Sequence, residues 1–469
     1  MRRALLPLAL LLSGCFAHAP RPEPLGALQD EGELTVYLEP LPLEAQRVSF
    51  TLASLGAVNA TGLEVPLTLV QRELSYEPSG GQRVLARGRL PPGNYGSLVA
   101  RFEKATLARS EGPASLLVPS AGTPMEVGFK VRAGRAELVM VTLRRARAPD
   151  DEVAFAPLVS ATLREPAHTL TQLDGYVSSP LLANLTVFDK HRHEVVATIA
   201  SGREPQGLAL DVRARRLFVA LAGQDQVQVI DLANGDEVRR VSLHPGDRPR
   251  ALALSLDGAT LLVANAGTST VAFVDPVAGA VLARVPVGNE PESVQLDRAG
   301  RRAVVFNRGS SSLTVLDIAS RSVVATVETD TEPLRGQFNR AGSRLYVIHA
   351  GSQYLAVFSF PELVLQSRVY VGPEATALKV DPKTDLVYVA NEGESRVQVF
   401  DAFSLVPLDW LELPDTASYL AIDDAENALV AIVPSRQAVV FIDLTSKAVL
   451  GTVEVGDEAR ELVLERERY

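Results

Sequence analysis

One carboxylate keeps returning at a fixed place in a long periodic stretch. It appears as Glu204, Glu290, Glu332, Glu374 and, in a wrapped copy, Glu458, with Arg248 and Thr416 at the two remaining places. A proline follows in four copies (Pro205, Pro249, Pro291, Pro333) and fixes the direction in which the chain leaves. The next two places carry Gln206, Arg250, Glu292, Arg335, Tyr419, Arg460 and Glu461. If the periodic units close into a ring, these residues gather at one mouth of a central channel. A ring of five glutamates would focus a negative potential on a cation or a basic partner. The plainer alternative is a solvated rim, since Glu is a common surface residue.

Other chemistry is sparse. His191 and His193 form an H-x-H pair in "DKHRHE". On a strand that spacing would place both rings on one face, as in some metal sites. Here they fall in a turn interleaved with Lys190 and Arg192, which reads as a solvated loop. The sequence contains no G-x-S-x-G, CxxC, H-E-x-x-H or glycine-rich phosphate loop. No catalytic residue, metal site or cofactor is therefore expected. Trp410, the only tryptophan, is expected to pack between repeats.

The elements that position the acids come from a repeat. A strand-like run ends at Asp189, Asp231, Asp275, Asp317, Ser359, Asp401 and Asp443, at spacings of 42 or 44 residues. Such a period indicates a propeller or solenoid. Each unit holds four short alternating segments separated by turn residues, which is a propeller blade. The anchoring carboxylate sits where it can accept N–H groups of the following turn, and the Ser359 hydroxyl can make a weaker version of that bond. Glycines such as Gly258 in the first hairpin and Gly267 in the second are expected to supply the positive φ of a tight reversal.

The ends of the stretch complete one another. The first unit lacks its first strand: "HTLTQLDGYVSS" upstream supplies only a second. At the other end "ELVLE" (Glu461 to Glu465) has no partner of its own, and it falls where the first strand of a further unit would begin. The two ends thus share a blade and close a seven-bladed ring, leaving no open edge. The runs "RLFVALAGQDQVQVIDLANGDEV", "TLLVANAGTSTVAFVDPVAGAVLARVPVGNEP" and "DLVYVANEGESRVQVFD" resemble the YVTN-type β-propeller repeat family over residues 167–469. That resemblance implies the fold. It does not imply one function, because the family spans surface proteins, periplasmic binders and a few enzymes.

The chain opens "MRRALLPLALLLSGC": two arginines, a short apolar run, then small residues, the layout of a secretory signal over residues 1–14. The tetrad Leu12-Ser13-Gly14-Cys15 resembles the bacterial lipobox, which implies a lipid on Cys15 as the covalent attachment to a membrane. Phe16 follows, and resemblance to sorted lipoproteins then favours the outer membrane. Residues 15–32 read as a tether with three prolines. The formal charge of −10 argues against nucleic acid as a partner.

Residues 33–145 hold no copy of the repeat. Alternating runs separated by turns indicate a β-sandwich. "RLPPGNYGSLVARF" resembles the strand start of transthyretin-like and carbohydrate-binding-like sandwiches, carried by Pro92, Gly93 and Tyr95. That likeness implies that Tyr95 packs at a strand start. Residues 146–166 are expected to be a linker or an added strand, the strand lying in "VAFAPLV".

The expected protein is all-β: a sandwich followed by a seven-bladed propeller. It is expected to act as a non-catalytic binding or scaffolding module of the cell envelope, with other envelope proteins or a polysaccharide as partners. The alternative is an enzyme, lactonase-like or a cofactor-dependent hydrolase or oxidoreductase, working at the central channel.

Overall fold

The computed structural model describes residues 23–78, 80–145, 154–155, 157–164 and 174–467. Cys15, the apolar run before it and residues 146–153 and 165–173 lie outside the described residues.

Among the described residues, seven four-stranded antiparallel sheets follow one another as blades. The innermost strands are Leu462–Leu464 (blade 1), Pro205–Asp211, Pro249–Leu254, Pro291–Leu296, Pro333–Phe338, Ala375–Val380 and Tyr419–Asp423 (blades 2 to 7). Second and third strands are almost wholly buried, as "RLFVAL" and "QVQVID" of blade 2 show. Their Val, Leu, Ile and Phe side chains pack between neighbouring blades, for example Phe218 and Val229 with Leu261 and Val263. At about 25 cal/mol per Å² of apolar surface, these inter-blade layers are the main source of stability.

Blade 1 is built from both ends of the repeat region. Leu462–Leu464 pairs with Asp174–Ser179, matching Val177 to Leu462, Tyr176 to Val463 and Gly175 to Leu464. Asn184–Asp189 and Glu194–Ala200 complete the sheet. The closing strand also helps tie blade 1 to the adjacent blade 7. Lys190, expected in a solvated turn, is instead fully buried; its Nζ pairs with Asp423 at 2.9 Å and donates to the Glu465 carbonyl.

The anchors behave as turn acceptors. Asp189 Oδ1 accepts the N–H of His191 at 2.8 Å and of Arg192 at 3.0 Å, and Asp401 accepts those of Phe403 and Ser404. In blade 5, Ser359 Oγ accepts from Val364 N at 3.2 Å. The hairpin glycines divide. Gly258, in a first hairpin, has φ 72°. In the second hairpin of blade 3, Ser269 takes the left-handed place, at φ 54°. Gly267 is needed there for close approach, since a Cβ would collide with the Gly246 carbonyl.

The N-terminal region is one continuous ten-stranded sheet, curled over its own core rather than split into two stacked sheets. Two long central strands, Val48–Asn59 and Gly93–Arg109, run antiparallel through it. The curl follows from three register shifts between them, because each bulge bends its strand. Tyr95 is 3% exposed, stacks on Phe129 at 5.2 Å and donates to the Pro91 carbonyl. The strand expected in "VAFAPLV" lies later, at Leu158–Arg164, and pairs with Ala136–Arg145 at the sheet edge. Phe155, just before it, packs into the core beside Phe50 and Phe102.

This sheet is docked on blades 1 and 7. Tyr37, Val84, Leu138 and Met140 share a buried cluster with Phe188, Val195, Phe441 and Val453. Polar ties flank it: Asn184 donates to Glu33 at 2.9 Å, Gln82 accepts from Val195 N, and Glu454 accepts from Val84 N.

Candidate functional site: the mouth of the central channel

The seven innermost strands enclose a cavity of about 1000 Å³ along the propeller axis. Its mouth lies where those strands begin. Each starts from a loop that packs against the neighbouring hairpin. The left-handed residue of that loop is Glu204, Arg248, Glu290, Glu332, Glu374 or Glu458, with φ between 46° and 56°. The carbonyls of the first five accept N–H groups from Ala222, Ala266, Arg308, Ala350 and Glu392. The recurring position is thus a backbone corner. Its side chains stay outside the cavity: none of the six lines it. Glu332 pairs outward with Arg308 at 2.7 Å. Glu374 presses on Glu392, and their hydrogen bond and mutual repulsion raise the Glu392 pKa.

The next two places do line the channel, for a local reason. In blades 2 to 6 the pairing register shifts directly after the first residue of the innermost strand. A bulge re-aims side chains, so two consecutive residues can face the axis. Arg250, Glu292, Arg335, Tyr419, Arg460 and Glu461 all line the cavity. Gln206 does not; it is buried, and its carbonyl accepts the Ser178 hydroxyl at 2.7 Å.

The mouth is organised around Glu292. Arg250 of blade 3 reaches it at 3.1 Å, and Arg460 of blade 1 reaches it from across the ring. Burial pushes the Glu292 carboxyl up, but Arg460, Arg250 and Arg335 outweigh burial and hold it below its ordinary value. Arg335 of blade 5 stands apart. Its guanidinium lies 4.6 Å over the Tyr419 ring, a cation–π contact, and its Nε is buried with no hydrogen-bond partner. Glu461 is pushed up to about 7 by burial, only partly offset by Arg335 and Arg460. Burial also raises the Tyr419 hydroxyl.

Ring closure places two of these groups. Arg460 N donates to the Ser178 carbonyl at 2.9 Å, and Ser178 N donates to the Glu461 carbonyl at 3.0 Å. Ser178, fully buried on the second strand of blade 1, is the positioning residue that the sequence reading missed. Deeper in the channel it also missed Lys379, which pairs with Glu467 at 2.7 Å with both side chains buried. Lys379 was detectable as a lone charge in the apolar strand "ATALKV". At the far end Asp211, Asp257 and Asp297 line the cavity but accept N–H groups of their own turns.

The two histidines do not converge. His191 meets Glu426 at 3.1 Å, while His193 packs on the Phe441 ring at 4.5 Å. Trp410, expected between blades, is 53% exposed on the outermost strand of blade 6. Among the described residues no strand pairs beyond that one, and it is Leu411, on the same strand, that packs against blade 7.

Comparison with known proteins supports the architecture. The family described as YNCE-like beta-propeller matches residues 213–338, which run from the first hairpin of blade 2 to the innermost strand of blade 5. No curated protein matches the chain by sequence. Among solved structures, the dihydro-heme d1 dehydrogenase NirN in complex with DHE is 14% identical, with a TM-score of 0.51 over 64% of this chain and 77% of that one. Hydrazine synthase of Kuenenia stuttgartiensis is 17% identical, with a TM-score of 0.49 over 60% of this chain and 92% of that one. At these identities the likeness to NirN is one of fold, and the second likeness carries no argument.

Proposed function

We propose that this chain is a non-catalytic binding protein of the cell envelope that captures its ligand at the mouth of the propeller channel. One observation carries the reading. Ring closure sets Arg460 and Glu461 against Arg250, Glu292, Arg335 and Tyr419, drawn from four other blades, at the opening of a cavity of about 1000 Å³. A concave site with a few converging polar groups is the usual form of a ligand pocket. Arg250, Glu292, Arg335 and Tyr419 stand on strands, and Arg460 and Glu461 directly precede one, which holds them more firmly than a free loop would. Lipid attachment at Cys15 and outer-membrane residence belong to the same proposal and rest on the Leu12-Ser13-Gly14-Cys15 tetrad. The curled N-terminal sheet, whose strand start is like those of transthyretin-like domains, would stand between anchor and propeller.

Native mass spectrometry tests the binding role. The full chain is exposed to an envelope extract, and bound masses are compared with those held by an Arg460→Ala variant. A ligand held by the first and lost from the second supports the proposal. Equal retention by both moves recognition away from the channel. The rival reading, an enzyme at the same channel, is favoured by Glu461, because a carboxyl pushed up to about 7 in a cleft can hold and release a proton. Conversion of the captured ligand into a new mass would decide for the enzyme.

A further inference from the structure

We propose that the channel mouth is an oxyanion site, in which the Glu292 carboxylate occupies the place of a carboxylate or phosphate group of the ligand. The inference deepens the channel-binding reading and rests on it.

Three guanidinium groups, those of Arg250, Arg335 and Arg460, surround this opening. Glu292 satisfies two of them, with its side chain 11% exposed. Arg335 has no ion pair among the described residues and is held by the Tyr419 ring. The charges of Glu461 and Glu292 are felt at Arg335, but neither carboxylate makes a salt bridge with it, and a planar guanidinium fork left without such a contact in a cavity is suited to a delocalised oxyanion. Even with Glu461 ionised, the three guanidinium groups outnumber the two carboxylates, Glu292 and Glu461, that line the opening with them. Asp211, Asp257 and Asp297 at the far end of the channel are turned into their own hairpins, and Glu467 is paired with Lys379. The opening is therefore locally cationic in a chain of net charge −10. Low-dielectric walls would strengthen that local field.

The Arg460–Glu292 pair also has an unusual path. It spans the opening from blade 1 to blade 4, joining residues 168 apart in sequence. It holds the mouth in the form that an oxyanion ligand would find. A ligand able to reach Arg335 gains a partner that Glu292 does not supply, and it competes with Glu292 for the other two.

The test is calorimetric titration of the full chain with inorganic phosphate in one arm and citrate in the other. The proteins are wild type, Arg335→Gln and Glu292→Gln, each at low and moderate salt. At least one anion should bind wild type, and more weakly as salt rises. Arg335→Gln should weaken that binding by about tenfold or more, the usual effect of losing a charge-assisted hydrogen bond. Glu292→Gln should tighten it severalfold by removing the internal competitor. Preference for phosphate or for citrate identifies the ligand group as phosphoryl or carboxylate. If Arg335→Gln does not fold, Arg335→Lys replaces it; retained charge without the fork should still cost affinity. Absence of binding by both anions, or unchanged affinity in the Arg335 variant, overturns the proposal. So does weaker binding by Glu292→Gln. Neither-anion binding together with an extract ligand lost in Arg460→Ala would overturn the oxyanion class and leave the channel reading standing.

Discussion

Blade 1 and blade 4 are copies of one unit on opposite sides of the ring, yet they solve the edge problem differently. The outermost strand of blade 4 leaves Val323 and Val324 at 42% and 50% exposure. The corresponding strand of blade 1 buries Val195 to 1%, because the curled N-terminal sheet covers it. Blade 4 is covalently continuous, whereas the innermost strand of blade 1 joins the other three only by non-covalent pairing. The N-terminal sheet is placed on the seam where continuity is lacking. Buried ionic groups collect there too: Lys190 with Asp423, Glu33 with Asn184, and Glu454 against Val84 N. Equivalent repeats therefore need not be equally self-sufficient. The blade that completes the channel mouth is the one that receives outside support.

Removing residues 461–469 is expected to have the largest effect. The second strand of blade 1 then loses its partner, Lys190 loses the Glu465 carbonyl, and Lys379 loses Glu467. Leaving buried polar groups unpaired costs about 1–3 kcal/mol each, so denaturant unfolding should show a loss of several kcal/mol. An unchanged midpoint would mean that the strand does not close the ring.

A narrower cut is Lys190→Ala, which strands Asp423 in a fully buried site. A destabilisation of about 3–5 kcal/mol is expected. The pair Lys190→Met with Asp423→Leu should recover much of it, since a buried ion pair replaced by apolar groups is often neutral. If the double variant is no better than Lys190→Ala, the cost lies in packing rather than in charge.

The two outer strands can be compared directly. Val195→Ser should cost about 1–3 kcal/mol, whereas Val323→Ser should stay within about 0.5 kcal/mol. Equal effects in thermal unfolding would show that the N-terminal sheet gives the seam no support.

The smallest effect is one of pH. Asp174, Glu454 and Glu461 are each pushed up to about 7, chiefly by burial, and all three belong to the seam. Raised carboxyls keep protons in the folded chain that the unfolded chain has released. Stability must therefore fall as pH rises from the ordinary carboxyl range to about 7. His349 in blade 5 opposes this: burial lowers it to about 4, which favours folding as pH rises toward 6.5. The net expectation is a higher unfolding midpoint at pH 5.5 than at pH 8. Asp174→Asn with Glu454→Gln should flatten the profile, and an unflattened profile would place the titrating groups away from the seam.

Much of this was legible in the sequence because the repeat is periodic. Anchor spacing, blade number and the shared blade all follow from offsets between strand-ending residues. The channel residues Arg250, Glu292, Arg335, Tyr419, Arg460 and Glu461 were also found, since equivalent places in a ring converge. The recurring glutamates were harder to read. Their regularity reflects a left-handed backbone corner, and side-chain direction at such a corner is not encoded in period. Lys190 looked solvated because its neighbours His191 and Arg192 are polar; its burial comes from the last strand, hundreds of residues later. The N-terminal curl was hidden for a similar reason, as bulges between Val48–Asn59 and Gly93–Arg109 leave no periodic trace.

Ring closure and the channel mouth are one structure, joined through Arg460 and Glu461. Hydrogen exchange at the amides of Leu462 to Leu464 and of Tyr176 and Val177, in the full chain with and without saturating phosphate or citrate, tests it directly. A ligand held by Arg460 binds only the closed ring and must stabilise it by mass action. Slower exchange at these amides, with no change in the outermost strand of blade 4, is the predicted result. Exchange at the closing strand that is indifferent to either anion would contradict the account.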